Sequence, residues 1–338
     1  MKAVVLESPG KAELKDVGEP GAPGKGEVLL RVRRVGLCGS DLNSYRGRNP
    51  LVSYPRILGH EVAATVVEAG PDAQGWPAET AVTLSPGSDC GRCASCLRGR
   101  INACQFNETL GVQRDGALTE LIVARVSRLF RADLTLKELC LVEPLTVGFH
   151  AVARGRVEAS DKVAVFGCGG VGLGAVAGAA FRGATVIGVD LDDTKLAIAR
   201  RAGAAHLVNT VREDLHVQLA ELTEGRGPDV VIEAIGIPDT YRAAVEEVAY
   251  AGRVVYIGWA KEQVTYETRP FVHKELDILG ARNAQREDFR EVIRMLAAHR
   301  FPVDDAVTHM VPMDETPAIL KAWSAEPTRF SKIMVEVG

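Results

Sequence analysis

The chain has 338 residues, of which 46% are hydrophobic, 25% charged and 5% aromatic, with a formal net charge of −4. That make-up belongs to a folded protein of one large or two ordinary domains and excludes a globally disordered chain. The mildly acidic balance also excludes a broad nucleic-acid or anionic-membrane surface, since both require clustered Lys and Arg.

At the start, Met1-Lys2-Ala3-Val4-Val5-Leu6 reaches Glu7 too soon for the apolar core of a signal peptide, so the expected location is cytoplasmic. The first third is rich in Gly, Pro and β-branched residues and predicts short strands over 28–35, 62–67, 81–84 and 118–123. Among them lie Cys38-Gly39-Ser40-Asp41 and, 22 positions after Cys38, His60 in Gly59-His60-Glu61. One thiolate, one imidazole and one carboxylate make a three-ligand set that leaves a position open for water or substrate. Taken singly, a cysteine packed as a small hydrophobe and a surface His-Glu pair explain these residues as well. H-E-x-x-H is not present, because Ala64 stands where the second histidine would be.

Seven cysteines are present, and four crowd into Cys90-x2-Cys93-x2-Cys96-x7-Cys104. Clustering of this kind in a large chain points to a closed tetrahedral zinc site rather than a disulfide framework. An iron–sulfur centre is compatible with the spacing alone. Thr135-Leu136-Lys137-Glu138 has the form of a capping box and predicts a helix start.

From about residue 160 the texture becomes strand–helix alternation, with strands over 163–166, 185–189, 206–209, 230–233, 253–257 and 278–280. Helices are expected between them, as over 194–202 and 239–249, giving a doubly wound parallel sheet. A further helix over 288–298 precedes short strands ending at 332–337.

The 19 residues from Val163 to Phe181 carry no charge and include Gly170, Gly174 and Gly178 at GxxxG spacing, the pattern of a membrane helix. The same stretch contains Gly167-Cys168-Gly169-Gly170-Val171-Gly172, which follows a strand and opens an Ala-rich helix. Asp190 lies 23 residues past the first glycine, close to the spacing of an acidic ribose ligand. Gly167 permits the tight turn, Gly169 the approach of a pyrophosphate, and Gly172 close helix–strand packing. A carboxylate at position 190 repels a 2′-phosphate, so NAD is expected over NADP, and no membrane segment remains.

Together these motifs resemble the zinc-dependent medium-chain alcohol and polyol dehydrogenases over essentially the whole chain. Cys38–Asp41 with Gly59–Glu61 is similar to their catalytic-zinc signature, and the four-cysteine loop to their structural-zinc lobe. Glu143-Pro144-Leu145 with Gly148 and His150 is similar to the segment entering the cofactor domain. The resemblance implies an α/β fold with a GroES-like β-rich catalytic domain, over 1–148 and 287–338, plus a Rossmann domain over 149–286. It implies two zinc ions per chain and NAD. Cys38, His60, Glu61 and Glu143 would surround the catalytic zinc, and Cys90, Cys93, Cys96 and Cys104 would hold the structural one. Asp41 would orient His60, and Ser40 would relay the alcohol proton. Ile257 and Gly258 would lie near the nicotinamide with Arg282, while Arg46 and Arg48 would meet a substrate carboxylate.

The branch with Glu rather than Cys near position 143 covers sorbitol, threonine and sugar-acid dehydrogenases. The expected donor is therefore a polyol or sugar acid, with a hexonate such as galactonate preferred. A threonine-type amino-alcohol dehydrogenase and a non-enzymatic NAD-sensing regulator are the alternatives. A homodimer or homotetramer is implied. Asn43 stands where the family often has the outermost histidine of its proton relay, so proton exit would need ribose, water or another side chain such as Tyr45. The usual glycine is Ala64, and 78–82 replaces a common Gly-Asp-Arg-Val turn.

Overall fold

The computed structural model describes residues 1–338. The N-terminal part runs β1 (Lys2–Ser8), β2 (Lys11–Asp16), β3 (Glu27–Leu37), α1 (Gly39–Tyr45), β4 (Arg56–Ile57), β5 (Glu61–Ala69) and β6 (Ala81–Leu84). It continues with α2 (Ala94–Leu97), β7 (Leu121–Arg125), β8 (Leu129–Arg131) and the long α3 (Leu136–Arg154). The alternating part follows as β9 (Lys162–Phe166), α4 (Gly170–Phe181), β10 (Thr185–Asp190), α5 (Asp193–Arg201), β11 (His206–Asn209) and α6 (Leu215–Leu222). Next come β12 (Val230–Glu233), α7 (Pro238–Glu247), β13 (Arg253–Tyr256), α8 (Arg269–His273), β14 (Asp277–Gly280) and α9 (Arg286–Ala297). The tail holds α10 (Val303–Ala306), β15 (His309–Pro312), α11 (Thr316–Ala325) and β16 (Ile333–Glu336).

The chain divides into two units, Met1–Glu143 with Val303–Gly338, and Pro144–Pro302. These breaks fall at 143/144 and 302/303, against the 148/149 and 286/287 expected from the sequence. α9 is amphipathic and belongs to the second unit, where Asp288 receives a 2.8 Å bond from buried His150 on α3 and Glu291 pairs with Arg182. Its Phe289, Val292, Met295 and Leu296 are buried. At the other boundary the helix starting at the Thr135–Glu138 capping box does not stop before Pro144. α3 runs on to Arg154 with that proline inside it, so Glu143 is a mid-helix residue rather than one following a helix.

In the first unit β3 is the spine. β5 and β7 pair with it antiparallel, and β16 pairs with it too, Ile333 opposite Leu37 and Val335 opposite Val35. The seven-stranded sheet reads β15-β16-β3-β5-β6-β8, with β7 joined to β3. Val28, Leu30, Val32, Val35 and Leu37 of β3 are buried in one apolar core with Val62, Val66, Leu320 and Val335.

The second unit is an all-parallel six-stranded sheet in the order β11-β10-β9-β12-β13-β14. Its central strands are apolar and buried along most of their length, as expected where helices cover both faces. α4 lies so close to α3 that a Cβ on Gly174 would meet the Leu145 carbonyl oxygen at 2.6 Å, and one on Gly148 the Ala175 nitrogen at 2.1 Å. The GxxxG spacing is therefore an intrachain packing face, and no helix is long and apolar enough to cross a membrane.

Candidate metal and dinucleotide sites

β3 ends at Leu37 and α1 begins at Gly39, so Cys38 is the N-cap residue at a strand–helix corner. His60 and Glu61 arrive at the start of β5, because Gly36 on β3 is opposite Glu61 in register. The ligand atoms of Cys38, His60 and Glu61 lie within 4.8 Å of one another, and His60 and Glu61 are buried. The Nδ1 atom of His60 has no hydrogen-bond partner. Burial disfavours a charged imidazole, yet Asp41, Cys38 and Glu143 push its pKa well above the ordinary histidine value. Desolvation lifts the Glu143 carboxyl to about 7, with neighbouring Glu61 adding to the rise. A ring calling for positive charge inside a group of acids and a thiol is a donor set suited to a divalent cation, and sulfur, nitrogen and oxygen together favour zinc.

Asp41 is not hydrogen-bonded to His60. Its carboxylate accepts the Cys38 N–H at 2.8 Å and the Gly59 N–H at 3.2 Å, while His60 Nδ1 is 3.9 Å away. It ties the cysteine corner to the histidine turn through backbone rather than orienting the ring directly. The Ser40 hydroxyl is buried with no partner. Tyr45 cannot serve as the proton exit in this arrangement, because its buried hydroxyl donates to the Gly10 carbonyl at 3.0 Å. Arg46 is spent on α11, bonding the Ser324 hydroxyl at 3.1 Å and carbonyl at 2.5 Å, whereas Arg48 is exposed.

One residue of this site was missed in the sequence. Lys332, just before β16, is 8% exposed and places its ammonium 2.7 Å from both carboxylate oxygens of Glu61. A single Lys ahead of an apolar strand, 271 residues from its partner, leaves no local signal.

The four cysteines between β6 and β7 converge with all sulfurs within 4.8 Å. Cys93 is 3.4 Å from Cys96 and 3.8 Å from Cys104, and no disulfide forms. A tetrahedral metal with sulfur bonds of about 2.3 Å has edges of about 3.8 Å, so four thiolates here suit one ion. Backbone N–H groups of Cys90, Cys93 and Phe106 point at the sulfurs, and the Ser95 hydroxyl with backbone donors lowers the Cys93 thiol pKa. The loop has little else to hold it, for α2 buries no residue.

In the second unit the strand order reverses between β9 and β12, and dinucleotides bind at such a point, outside the C-terminal strand ends. Gly167 follows β9 at φ +90°, and a Cβ on Gly172 would sit 1.7 Å from the Gly167 carbonyl oxygen. Gly169, by contrast, faces open space. It is the N-cap of α4 and offers no side-chain cap, leaving the first-turn amides, those of Gly170, Val171 and Gly172, for an anion. Asp190 ends β10 and accepts the N–H groups of Cys168 at 2.8 Å, Leu191 at 2.8 Å and Asp192 at 3.1 Å. It braces the glycine turn, and a carboxylate has about four acceptor sites, so capacity remains for a ribose hydroxyl. Ile257 and Gly258 follow β13, both tied by their N–H groups to the Glu233 carbonyl. The buried Glu233 side chain, also missed in the sequence, receives Ile235 and Gly236 N–H and the Thr240 hydroxyl. Arg282 is exposed in the segment after β14.

Residues 24–133 match the model of the alcohol dehydrogenase GroES-like domain, and residues 170–298 that of the zinc-binding dehydrogenase. The chain is 34% identical to an uncharacterized zinc-type alcohol dehydrogenase-like protein of Haemophilus influenzae, covering 98% of each chain. It is 32% identical to L-galactonate-5-dehydrogenase of Escherichia coli over 86% of each. It is 36% identical to sorbitol dehydrogenase of Bacillus subtilis over 83% of this chain and 81% of the relative. Galactitol-1-phosphate dehydrogenase of Escherichia coli superposes with a TM-score of 0.93 at 25% identity, covering 100% of both chains. The chain therefore belongs to the zinc-binding medium-chain alcohol dehydrogenases, with a GroES-like domain and a Rossmann domain, and acts on the CH–OH group of its donors.

Proposed function

We propose that this enzyme oxidises a secondary alcohol of a polyol or sugar acid, with a hexonate such as galactonate as the preferred donor and NAD as the acceptor. The observation that carries the reading is the convergence of half-buried Cys38 with buried His60 and Glu61, with Ser40, two residues after Cys38, holding a buried hydroxyl without a partner. Cys38, His60 and a carboxylate from Glu61 or Glu143 would hold a catalytic zinc, and the four cysteines a structural one. When bound, the zinc supplies Lewis acidity that lowers the donor hydroxyl pKa, and NAD supplies the carbon that takes the hydride.

Ser40 has a hydroxyl that can accept the donor proton and release its own, the role of a relay. Asn43 cannot titrate, so the next acceptor is water or a ribose hydroxyl. The Gly167–Gly172 turn offers backbone N–H groups to a pyrophosphate, and Asp190 offers carboxylate lone pairs to a ribose while opposing a 2′-phosphate. With Arg46 bound to α11, Arg48 and Arg282 are the arginines proposed for a substrate carboxylate.

Seven free cysteines, five of them in the two thiolate sites, suit a reducing compartment, and we assign the enzyme to the cytoplasm. β14 is the last strand of its sheet, and Ile278, Val272 and Trp259 are exposed in that unit. An open apolar edge favours association with a second copy, so a homodimer or homotetramer is expected.

Steady-state assays with hexonates, polyols and L-threonine, following absorbance of the reduced cofactor with NAD and with NADP, test the reading. The highest kcat/KM on a hexonate with NAD is expected. Turnover of L-threonine alone would move the enzyme to the amino-alcohol branch, and no turnover of any donor would favour the NAD-sensing alternative.

A further inference from the structure

The ends of β10 and β11 lie side by side, with Asp190 opposite Asn209 in register. Past Asp190 the chain enters α5 through Leu191 and Asp192, and past Asn209 it turns through Thr210 and Val211 to Arg212. The two turns meet in a fork. Arg212 donates from Nη1 to Asp193 Oδ2 at 2.7 Å and from Nη2 to Asp193 Oδ1 at 2.8 Å. Asn209, buried at the strand end, donates from Nδ2 to the same Oδ1 at 2.8 Å, and its own Oδ1 accepts the Val211 N–H at 3.0 Å. A guanidinium meets a phosphate as it meets a carboxylate, with two parallel N–H donors. Arg212 is therefore an anion anchor one turn beyond Asp190, already engaged by Asp193. Arg200 and Arg201 stand at the opposite end of α5.

Resting on the NAD reading of Asp190, we propose that Asp193 is a second specificity-determining residue, which occupies the arginine that would otherwise anchor the 2′-phosphate of NADP. The adenosine ribose of NAD carries hydroxyls there and no anion, so NAD leaves the fork closed. A 2′-phosphate would have to draw Arg212 off Asp193 while facing Asp190. Asp190 opposes the wrong cofactor directly, and Asp193 denies it a cation. Specificity is a difference of affinities, and refusing the competitor widens it as well as holding the right ligand does. Both side chains of the fork are more than half exposed, so the pair adds little to stability. Its loss should be read in ligand choice rather than in folding.

Dissociation constants of NADH and NADPH, measured by nicotinamide fluorescence on the zinc-loaded enzyme, test this without turnover. Asp193→Asn keeps an oxygen for Asn209 and removes the charge. It should tighten NADPH relative to NADH by about tenfold, the scale of one charged hydrogen bond.

Removing any acid near a polyanion also tightens its binding, so a double-mutant cycle with Arg212→Ala decides the cause. With Asp193 in place, Arg212→Ala should change the NADPH constant little, because that arginine is already engaged. In the Asp193→Asn background the same substitution should abolish the whole gain. An unchanged NADPH constant in Asp193→Asn overturns the proposal, and so does an equal cost of Arg212→Ala in both backgrounds. The NAD reading fails separately: NADPH bound at least as tightly as NADH by the unaltered enzyme would remove it.

Discussion

The Ser40 hydroxyl is buried beside Cys38 and bonds to no other group of the protein. A buried hydroxyl without a partner carries a cost unless a ligand satisfies it. Ser40→Ala should therefore leave zinc content and melting temperature nearly unchanged. It should lower kcat about a hundredfold or more, the scale of a lost proton-transfer group. Asp190 is different, since its carboxylate serves three backbone N–H groups as well as any ribose. Asp190→Ala should raise the KM for NAD by about 10–100-fold, corresponding to the ~1.5–3 kcal/mol of charged hydrogen bonds. The ratio of kcat/KM for NAD over NADP should shrink with it, and an unchanged ratio would refute the selectivity assigned to Asp190. Residues whose chemistry sits in short motifs, such as Cys38, His60, Asp190 and the four cysteines, were legible in the sequence. Lys332 and Glu233 were not. Their meaning depends on partners supplied by tertiary packing, and a lone Lys or Glu reads as surface until its burial is known.

The cysteine lobe and the α3–α4 pair mark two ways an element can be held. The lobe has four sulfurs and almost no core, so a metal held by those sulfurs would carry its fold. Cys93→Ser should lose one zinc by elemental analysis while the Cys38 site keeps its own. Limited proteolysis should then cut within 90–104, where the unaltered protein resists. The helix pair has no metal and is held by close backbone approach at Gly148 and Gly174. Gly174→Val forces a side chain onto the Leu145 carbonyl and should cost about 2 kcal/mol or more, visible as a lower melting temperature with both zinc sites filled. Strand and helix positions in the Rossmann unit were legible because each strand is a short apolar run between amphipathic helices. Only the start of α3 was legible in the sequence, for a physical reason. Proline normally ends a helix, and here packing on both sides of Pro144 keeps it going.

For the whole molecule, the division at 143/144 and 302/303 assigns α9 to the dinucleotide unit and returns only the last segment to the catalytic one. Composition could not mark this second boundary, because an amphipathic helix looks alike in either unit. The pattern did carry the fold class, a β-rich unit followed by a doubly wound one. The open edge at β14 makes association the expected state, and sedimentation should find a species of at least twice the 36.2 kDa chain mass. Ile278→Lys should shift it toward monomer; a monomeric unaltered protein would dismiss that edge as an interface.

The insertion of β16 between β15 and β3 also sets a schedule. During synthesis, β3 and Glu61 emerge early, while β16 and Lys332 follow only after the entire Pro144–Pro302 unit has been made. The Rossmann unit, contiguous in sequence, can fold while the nascent catalytic unit still lacks a strand beside its spine. Until Lys332 leaves the ribosome, Glu61 lacks the ammonium that meets both of its oxygens in the finished fold.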